Sequence, residues 1–425
     1  MNVTITPRRL SGTVTPPPSK SQAHRLLIAA ALSGGISTIS NLADSQDIQA
    51  TRRCLSALGA GLEDLAPGVV RVHGVGNGIV IAPPYAPLDC GESGSTLRFL
   101  IPVALLVQGK ACFTGRGRLM ERPLTPYEEL FREKGISWRL EDSVLTVDGG
   151  RGYDALALDP GEYRLPGNVS SQFITGLLYA LPLLAGDSRI LLTTSLESRG
   201  YIDMTLDALE QFGVRAEYDG ARTFRVPGRQ AYQARDLTIE ADWSNAAFWY
   251  AALSLGCELS IQGLNAFSTQ GDMRIVPYYM KLQGAGPVDL DVSQCPDLVP
   301  PLAAMAALRA GEITRIVNAA RLRLKESDRL ATVTQVLTAL GGQVEEGPDY
   351  LVFHGRETLP GGVTVSAHND HRIAMMAAIA AIRCASPVTI TGAQCVNKSY
   401  PNFWEDYEAL GGKLVRQQAK EEVTP

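Results

Sequence analysis

Pro16-Pro17-Pro18-Ser19-Lys20-Ser21-Gln22-Ala23-His24-Arg25 leads directly into the apolar run Leu26-Leu27-Ile28-Ala29-Ala30-Ala31-Leu32. The stretch predicts the start of a buried helix, because proline suits a helix entrance and Ser19 or Ser21 can accept hydrogen bonds from the first N–H groups. Lys20 and Arg25 lie near that end, where the helix dipole disfavours positive charge unless an anion binds there too. Two interpretations remain open: an anion site, or a solvated Lys and Arg on an exposed turn.

A repeat extends this pattern along the whole chain. Six times, a polar or glycine-rich opening precedes an apolar helix, a strand and a second helix that ends near glycine. Lys20, Ser93, Ser170, Ser244, Asp297 and Arg372 mark the openings, at spacings of 73, 77, 74, 53 and 75 residues. One such unit cannot bury its own apolar helix, so we expect the helices to cluster with the sheets around them.

The length and the repeat together predict two similar α/β domains. A chain of 425 residues exceeds one ordinary core, and three repeat units make one domain. The predicted N-terminal domain spans 20–236, and the C-terminal domain combines 1–19 with 237–425, so that the strand Val3-Thr4-Ile5 completes the C-terminal half. We expect the active site in the cleft between the domains, lined by helix N-termini that favour a small anion.

Composition excludes several classes of function. The net charge of −5 gives no basic face for nucleic acid or a membrane. The longest apolar runs fall short of the roughly twenty residues that span a bilayer, and the N-terminus lacks the features of a signal peptide. Seven cysteines without a CxxC pair predict a reducing, cytoplasmic location. The five histidines show no ligand spacing, which predicts no metal site, and no phosphate-binding loop or GxSxG motif is present.

Several charged or glycine-containing segments allow two interpretations each. Arg98 lies inside an apolar run, so it either snorkels or pairs with an anion. Gly94 permits either a close backbone approach or a plain turn, and Ser170 and Ser171 are either ligand contacts or helix caps. The alternation in residues 321–325 predicts a strand with its three cations on one side and a turn at its end, against the alternative of a solvated charged loop.

Seven motifs, in order along nearly the whole chain, carry a family resemblance. They are Pro-Ser-Lys-Ser-x-x-x-Arg (18–25), Gly-x-Ser-Gly-Ser-Thr-x-Arg (91–98), Arg-Pro-Leu (122–124), Val-Ser-Ser-Gln-Phe (169–173), Lys-Glu-Ser-Asp-Arg (325–329), Asn-Asp-His-Arg (369–372) and Lys-Ser-Tyr-Pro (398–401). The set closely resembles the 5-enolpyruvylshikimate-3-phosphate synthases. This resemblance implies two domains of three helix–strand units with buried parallel helices, an inside-out α/β barrel. It also implies transfer of the carboxyvinyl group of phosphoenolpyruvate to the 5-hydroxyl of shikimate 3-phosphate, with release of phosphate.

The same resemblance assigns residue roles. The implied catalytic residues are Lys20, Asp297 and Glu326, with Glu326 as proton donor to carbon and Asp297 as acceptor of the hydroxyl proton. The implied shikimate 3-phosphate contacts are Lys20, Ser21, Arg25, Ser170, Ser171, Gln172, Ser198, Tyr201, Asp297 and Lys325. The implied phosphoenolpyruvate contacts are Lys20, Gly94, Arg122, Gln172, Arg329, Arg372 and Lys398. Domain closure is expected to exclude water, and the enzyme is expected to be a monomer that needs no metal or organic cofactor.

Two positions depart from the family pattern, and particular residues distinguish two alternative functions. Glu92 and Arg321 stand where better-known members have Asn, so both stay outside the predicted site. Gly94 leaves room for glyphosate, which predicts sensitivity to it. The related enolpyruvyl transferase acting on UDP-N-acetylglucosamine has a Lys-Asn pair and a loop cysteine, whereas Ser21 follows Lys20 here and residues 116–122 contain no cysteine. A non-catalytic anion-binding protein would explain the helix openings but not Lys20, Asp297 and Glu326 together.

Overall fold

The computed structural model describes residues 1–76, 87–150 and 157–418 of the chain. The described part is α/β, with strands and helices alternating along most of its length. The strand predicted at 79–81 and the end of the predicted C-terminal tail lie outside the described residues.

The helices and strands follow one another in a regular order. The first part of the chain forms β1 (Asn2–Thr6), β2 (Ser11–Val14), α1 (Lys20–Leu32), β3 (Ile36–Ser40), α2 (Gln46–Ala57), β4 (Gly61–Ala66), β5 (Val69–His73), β6 (Leu88–Asp89), α3 (Gly94–Gln108), β7 (Lys110–Thr114), α4 (Thr125–Glu133), β8 (Ser137–Glu141), β9 (Val144–Asp148), β10 (Glu162–Leu165), α5 (Ser171–Ala180), β11 (Ser188–Leu192), α6 (Arg199–Gln211), β12 (Glu217–Tyr218) and β13 (Thr223–Val226). The remainder forms β14 (Leu237–Thr238), α7 (Trp243–Ser254), β15 (Glu258–Ile261), α8 (Ile275–Gln283), β16 (Val288–Asp291), α9 (Val299–Ala307), β17 (Ile313–Val317), α10 (Arg329–Ala339), β18 (Gln343–Glu346), β19 (Leu351–His354), β20 (Leu359–Gly361), β21 (Thr364–Ser366), α11 (His371–Ala381), β22 (Cys384–Ser386), β23 (Val388–Thr391), α12 (Phe403–Ala409) and β24 (Lys413–Gln417).

Contacts within the chain divide it into two compact units. The N-terminal unit is Pro18–Glu240, and the C-terminal unit combines Met1–Pro17 with the described residues from Ala241 onward. The chain therefore passes from one unit to the other twice. Each unit has its own apolar core, drawn from residues 23–239 in the first and from residues 3–14 and 243–410 in the second.

Five four-stranded sheets share one arrangement. In each, an edge strand pairs parallel with the strand that follows a buried helix, and two antiparallel strands complete the sheet. The N-terminal unit has the orders β14-β3-β5-β4, β6-β7-β9-β8 and β10-β11-β13-β12. The antiparallel hairpin β8–β9 and the strands β4 and β18 were not among the predicted strands. The sequences of β4 and β18 are charged and lack a clear apolar alternation, whereas those of β8 and β9 do alternate and were missed.

The N-terminal strand completes a sheet of the C-terminal unit. This sheet has the order β21-β23-β1-β24, and β1 is antiparallel to both of its neighbours, with Val3 opposite Ile390 on one side and Arg416 on the other. Its buried side chains are Val3 and Ile5. The same unit contains the sheet β16-β17-β19-β18 and the pairs β15-β2 and β20-β22. Residues from both ends of the chain thus build one unit.

The first helix of each repeat is buried on nearly all sides. Every residue of α11 is buried, and so are thirteen of the fifteen residues of α3. A helix that is apolar all round needs such an environment, since it has no face suited to water. The sequence predicted all six of these helices, with ends that differ from the observed ones by a few residues.

One predicted strand was wrong. Residues Ala320–Leu324 form a 3-10 helix, in which Leu322 is buried and Leu324 is exposed. Alternating leucines indicated a strand, but the three cations of this segment have separate partners that a flat strand would not reach. Arg321 donates to the Ser293 carbonyl, Arg323 pairs with Asp328 and Glu346, and Lys325 pairs with Asp297.

Candidate functional site

The first helix begins as the sequence predicted, with a cation in its first turn. Ser19 is the N-cap and accepts from the Gln22 N–H, which selects Ser19 over Ser21. Lys20 Nζ lies 2.8 Å from Asp47 Oδ2, and both side chains are largely buried. Asp47 stands in the first turn of α2, where a carboxylate also interacts favourably with the helix dipole. The two helix entrances are therefore joined by an ion pair.

Arg25 lies one turn further along α1 and is almost fully buried. Its guanidinium donates to Thr205 Oγ1 at 2.9 Å, to the Ser21 carbonyl at 2.7 Å and to the Tyr201 carbonyl at 2.8 Å. Burial lowers the pKa of Arg25, while Tyr179 and Tyr201 oppose that shift. These bonds bring three of the predicted shikimate 3-phosphate contacts together and hold α1 against α6.

Gly94 and Arg122, both predicted phosphoenolpyruvate contacts, lie against each other. Gly94 is the first residue of α3, whose N-cap Ser93 accepts from the Thr96 N–H at 3.2 Å. A Cβ on Gly94 would lie 2.7 Å from Arg122 Nη1 and 2.9 Å from its Cζ. Glycine therefore lets this guanidinium pack against the N-terminus of the helix, and a Cβ here would force the guanidinium to shift. That position combines a full positive charge with free helix N–H groups, which suits a phosphate or carboxylate.

Gln172 is held at the entrance of α5 by two side chains of α3. Its Oε1 accepts from Arg98 Nη1 at 2.8 Å, and its Nε2 donates to Ser95 Oγ at 2.9 Å. Arg98 is buried and also donates to the Pro123 carbonyl. Because Arg98 is buried, the snorkelling interpretation was wrong. Its hydrogen bond orients Gln172, a predicted substrate contact, and pairing of Arg98 with an anion stays a prediction.

Three of the four predicted serines, Ser170, Ser171 and Ser198, occupy helix caps or first turns. Ser170 caps α5 by accepting from the Gln172 N–H, and Ser171 is the first residue of that helix. Ser198 precedes α6 with a φ of 55°, a left-handed conformation that is unusual for serine. A cap with an exposed helix entrance beyond it can serve both interpretations, so the contacts leave the assignment of Ser170 and Ser171 as ligand contacts a prediction.

Arg329 is the centre of the charged cluster in the C-terminal unit. Its guanidinium lies 2.8 Å from Asp297 Oδ1, 2.7 Å from Glu326 Oε2 and 2.8 Å from Asp370 Oδ2. Burial by itself lowers the pKa of Arg329, but the carboxylates of Asp370, Glu326 and Asp297 outweigh it and raise that pKa. The side chain is therefore a permanent cation that fixes the two predicted catalytic carboxylates.

Asp297 is surrounded by cations. Besides Arg329, Lys325 Nζ lies 3.3 Å from its Oδ1, and Arg372 Nη2 lies 3.3 Å from its Oδ2. Burial lowers the pKa of Lys325, the Asp297 carboxylate opposes that shift, and Arg329 adds to it. Neighbouring cations stabilise the ionised carboxylate, which is the form that can accept a proton.

Arg372 and Lys398 are held by groups of the same unit. Arg372 donates to Ser244 Oγ at 2.7 Å and to the Asp297 carbonyl at 3.1 Å. Lys398 Nζ donates to the Asn369 carbonyl at 2.6 Å and is almost fully buried. This part of the unit has one more cation than carboxylates, which favours an anionic ligand. The four cations are Lys325, Arg329, Arg372 and Lys398, and the three carboxylates are Asp297, Glu326 and Asp370.

Two aspartates, one in each unit, pair with predicted site residues but were absent from the predicted site. Asp47 pairs with Lys20, and Asp370 accepts from Arg329, from Ser327 Oγ and from the Arg372 N–H. Asp370 belongs to the Asn-Asp-His-Arg motif (369–372) noted in the sequence, and Asp47 lies in the first turn of α2. The N-cap of α2 is Ser45, and the Asp47 carboxylate instead pairs with Lys20 of α1.

Glu92, which was kept outside the predicted site, lies close to the loop after β7. A Cβ on Gly117 would come within 2.6 Å of Glu92 Oε2, and Gly117 has a φ of 55°. The glycine therefore makes room for the carboxylate at the entrance of α3. Within the described ranges, no cluster of His, Cys, Asp and Glu side chains could hold a metal ion, and no helix is both long and apolar enough to cross a bilayer.

Comparison with known proteins relates this arrangement to one enzyme family. The family model of EPSP synthase (3-phosphoshikimate 1-carboxyvinyltransferase) matches residues 5–407. The 3-phosphoshikimate 1-carboxyvinyltransferase of Clostridium kluyveri is 45% identical, covering 97% of this chain and 98% of that protein. The enzyme of the same name from Clostridioides difficile is 42% identical, covering 96% and 97%.

Solved structures agree on the fold. An EPSP synthase from Acinetobacter baumannii superimposes with a TM-score of 0.80 at 22% identity, covering 98% of this chain and 100% of that chain. The enolpyruvyl transferase NikO from Streptomyces tendae gives 0.74 at 20% identity, covering 98% and 99%. The inferred α/β enolpyruvyl transferase fold is confirmed, and the family match over nearly the whole length shows that this chain belongs to the EPSP synthase family of 3-phosphoshikimate 1-carboxyvinyltransferases.

Proposed function

We propose that this chain transfers the enolpyruvyl group of phosphoenolpyruvate to the 5-hydroxyl of shikimate 3-phosphate and releases phosphate, as a step in aromatic amino-acid biosynthesis. The observation that carries the proposal is the cluster around Arg329. It combines two carboxylates suited to proton transfer, Asp297 and Glu326, with an excess of positive charge for anionic substrates. The family match supports the same reaction.

The chemistry requires an acid and a base. Glu326 gives a proton to the methylene carbon of phosphoenolpyruvate, which makes the adjacent carbon electrophilic. The 5-hydroxyl of shikimate 3-phosphate attacks that carbon and gives its proton to Asp297. The C–O bond to phosphate in the resulting tetrahedral intermediate then breaks, phosphate leaves with the bonding electron pair, and a methyl proton returns to the Glu326 carboxylate, which restores the double bond and the acid. Lys20 contacts both substrates and shares the proton transfer.

The cations divide between the substrates. Arg122, Arg329, Arg372 and Lys398 bind the phosphate and carboxylate of phosphoenolpyruvate, and the Gly94 N–H adds a backbone donor. Shikimate 3-phosphate is bound by a second set of side chains: Ser21, Arg25, Ser170, Ser171, Gln172, Ser198, Tyr201 and Lys325. Fixed donors aimed at a developing charge stabilise the intermediate without reorganising at the moment of reaction.

A substrate panel tests the proposed function. Phosphate release is measured from phosphoenolpyruvate with shikimate 3-phosphate and, separately, with UDP-N-acetylglucosamine. We expect release with the first acceptor only. Release with UDP-N-acetylglucosamine alone would assign the chain to the related enolpyruvyl transferases, and release with neither would favour a non-catalytic anion-binding protein.

Replacement of Glu326 tests the proton donor. Glu326→Ala is expected to lower kcat by about 10²- to 10⁴-fold, the usual contribution of a positioned acid or base. Glu345→Ala is the matched control, because Glu345 pairs with His354 on an exposed strand of the same unit. Wild-type turnover by Glu326→Ala would remove its catalytic role, whereas a loss in both variants would indicate a folding defect.

Three further properties belong to the proposal. The enzyme acts as a monomer in the cytoplasm, and its seven cysteines, which include no CxxC pair, support the reducing location. Glyphosate inhibits it by taking the place of phosphoenolpyruvate, because Gly94 adds no side chain between the α3 entrance and Arg122. An inhibition constant in the millimolar range would contradict that sensitivity, and sedimentation of the purified protein tests the monomer.

A further inference from the structure

The N-terminal unit contains a buried chain of polar side chains that the proposed mechanism leaves unused. His24 Nδ1 lies 2.7 Å from Thr51 Oγ1, Thr51 Oγ1 lies 2.7 Å from Thr96 Oγ1, and Thr96 Oγ1 lies 2.8 Å from Ser93 Oγ. All four residues are fully buried. They come from α1, α2, α3 and the N-cap of α3, so the chain crosses three helices.

The direction of these hydrogen bonds follows from counting protons. A hydroxyl has one proton to donate. Because Thr96 donates to Ser93 Oγ, Thr51 must donate to Thr96, and the proton of the first bond must therefore come from His24 Nδ1. Burial, followed by the charges of Lys20 and Arg25, lowers the pKa of His24 well below its usual value. His24 is thus a neutral imidazole with its proton on Nδ1.

The other ring nitrogen fits this assignment. Among the described residues, His24 Nε2 has no hydrogen-bond partner. In the Nδ1–H form Nε2 presents only a lone pair, and a buried acceptor without a partner is better tolerated than a buried N–H without one. The alternative tautomer would bury an unsatisfied donor and reverse every bond of the chain.

Both ends of the chain lie beside residues of the proposed site. His24 follows Lys20 by four residues, so the two side chains share one face of α1. At the other end, Ser93 caps α3 immediately before Gly94, where Arg122 packs. Thr96 Oγ1 also lies 3.5 Å from the carbonyl of Asp47, the residue that pairs with Lys20. The hydroxyls therefore tie the Lys20 helix to the Gly94 helix through α2.

We propose that His24, Thr51, Thr96 and Ser93 form a one-directional positioning array that fixes the entrance of α3 relative to Lys20 and so sets the affinity for phosphoenolpyruvate. These residues act through Gly94, Arg122 and Lys20 and do not touch substrate themselves. The proposal rests on the proposed function, since it concerns how that reaction's first substrate is held. A binding geometry that spans two helices loses affinity when the helices shift by even a fraction of an ångström.

Steady-state kinetics of Thr51→Val test the array. Valine keeps the shape of threonine but removes the hydroxyl, which interrupts both bonds that pass through residue 51. We expect KM for phosphoenolpyruvate to rise by about tenfold, with KM for shikimate 3-phosphate changed less than about twofold. Thr51→Ser keeps the hydroxyl and is expected to restore most of the affinity.

Ser33→Ala is the matched control, since Ser33 also uses a buried hydroxyl, at the opposite end of α1, where it donates to the Ala30 carbonyl. It is expected to lower the unfolding midpoint without changing KM for phosphoenolpyruvate. An unchanged KM in Thr51→Val, with a stability loss like that of Ser33→Ala, would overturn the array as a positioning device. Absence of phosphate release by the wild-type enzyme would instead contradict the proposed function.

A second measurement does not depend on whether Thr51→Val folds. Nitrogen-15 NMR of the wild-type imidazoles, with His24 identified by the signal lost in His24→Asn, reports which nitrogen carries the proton. We expect a proton on Nδ1 of His24 at neutral pH. A proton on Nε2 would reverse the bonds and overturn the assigned direction.

Discussion

At the residue scale, two glycines near the proposed site make room for charged side chains of other residues. Gly94 has no Cβ, and this lets the guanidinium of Arg122 lie against the first turn of α3. Gly117 is similar, because the carboxylate of Glu92 occupies the space that a Cβ on this residue would need. The sequence left Gly94 open between a close backbone approach and a plain turn, and its contact with Arg122 favours the close approach.

Gly94→Ala is predicted to raise KM for phosphoenolpyruvate by about tenfold or more and to weaken glyphosate inhibition, because the new methyl group displaces Arg122 from the helix entrance. Steady-state kinetics and inhibition assays measure both effects. Gly34→Ala is the control, since a Cβ on Gly34 meets no atom closer than 3.8 Å. An unchanged KM in Gly94→Ala would mean that Arg122 does not bind phosphoenolpyruvate from this position.

His24 predicts a pH dependence of stability. Its pKa in the folded protein lies below the value of about 6.5 in the unfolded chain, so below that pH the unfolded state binds more protons. Stability is therefore lost as the pH falls below about 6.5, by up to about 1.4 kcal/mol per pH unit for one proton. Urea unfolding between pH 7.5 and 5.5 measures this slope.

His24→Gln removes the titrating group. It is expected to flatten the dependence of the free energy of unfolding on pH, even if it lowers that free energy at every pH. His73→Gln replaces an exposed histidine on β5 and is expected to keep the wild-type slope. Equal slopes in all three proteins would show that His24 does not titrate on unfolding.

At the element scale, α3 and α5 approach closely at one glycine. A Cβ on Gly176 would lie 2.3 Å from Tyr127 Oη and 2.6 Å from the Arg98 carbonyl. Pro102 lies four residues after Arg98 and has no N–H to give to that carbonyl. Tyr127 Oη lies 3.1 Å from the Arg98 carbonyl and 2.7 Å from the Phe173 carbonyl, so its single proton is shared between the two acceptors. The proline, the tyrosine and the glycine thus form one packing unit drawn from three helices.

Gly176→Ala is predicted to lower the free energy of unfolding by about 1–3 kcal/mol, because the added methyl group overpacks this contact. Tyr127→Phe is predicted to cost about 1–3 kcal/mol through unsatisfied buried carbonyls. Chemical denaturation of both single variants and of the double variant measures the coupling. The double variant should lose less free energy of unfolding than the two single variants lose together, since phenylalanine removes the hydroxyl oxygen nearest to the new methyl group. Strictly additive losses would contradict the shared contact.

At the scale of the whole molecule, the two units differ in how the chain builds them. The N-terminal unit is one continuous segment with a core of its own. The C-terminal unit needs β1, whose Val3 and Ile5 are buried between β23 and β24. Removing β1 would separate β23 from β24 in the middle of their sheet. Removing Pro18–Glu240, in contrast, would leave every strand of the C-terminal unit in the chain.

The isolated segment 18–240 is predicted to fold and to unfold cooperatively, whereas 241–418 alone is predicted not to. Because Gln417 pairs with Asn2, a short glycine-rich linker from residue 418 to Met1 joins adjacent strand ends. We expect the joined polypeptide 241–418–linker–1–17 to recover cooperative unfolding. Circular dichroism and urea titration measure all three polypeptides, and cooperative unfolding of 241–418 alone would show that β1 is dispensable.

Local sequence was sufficient for the elements that depend on near neighbours. Apolar periodicity and capping residues located the six buried helices, since a helix is decided by residues within a few turns of one another. The motifs around Lys20, Gly94 and Arg329 indicated the family for the same reason, being short and contiguous. Residues 320–324 show the limit of this approach, because alternating leucines looked like a strand while distant partners for the cations required a turn of 3-10 helix.

The sequence by itself determined which residue types stand at each helix entrance, and it left an anionic ligand as one of two interpretations of the entrance at Pro16–Arg25. Only the tertiary structure decided which charges neutralise one another. Lys20 meets Asp47 across 27 residues, and Arg329 meets Asp370 across 41 residues. Electrostatic partners are chosen by distance in space, and helices packed side by side bring together residues whose separation along the chain carries no information about that distance.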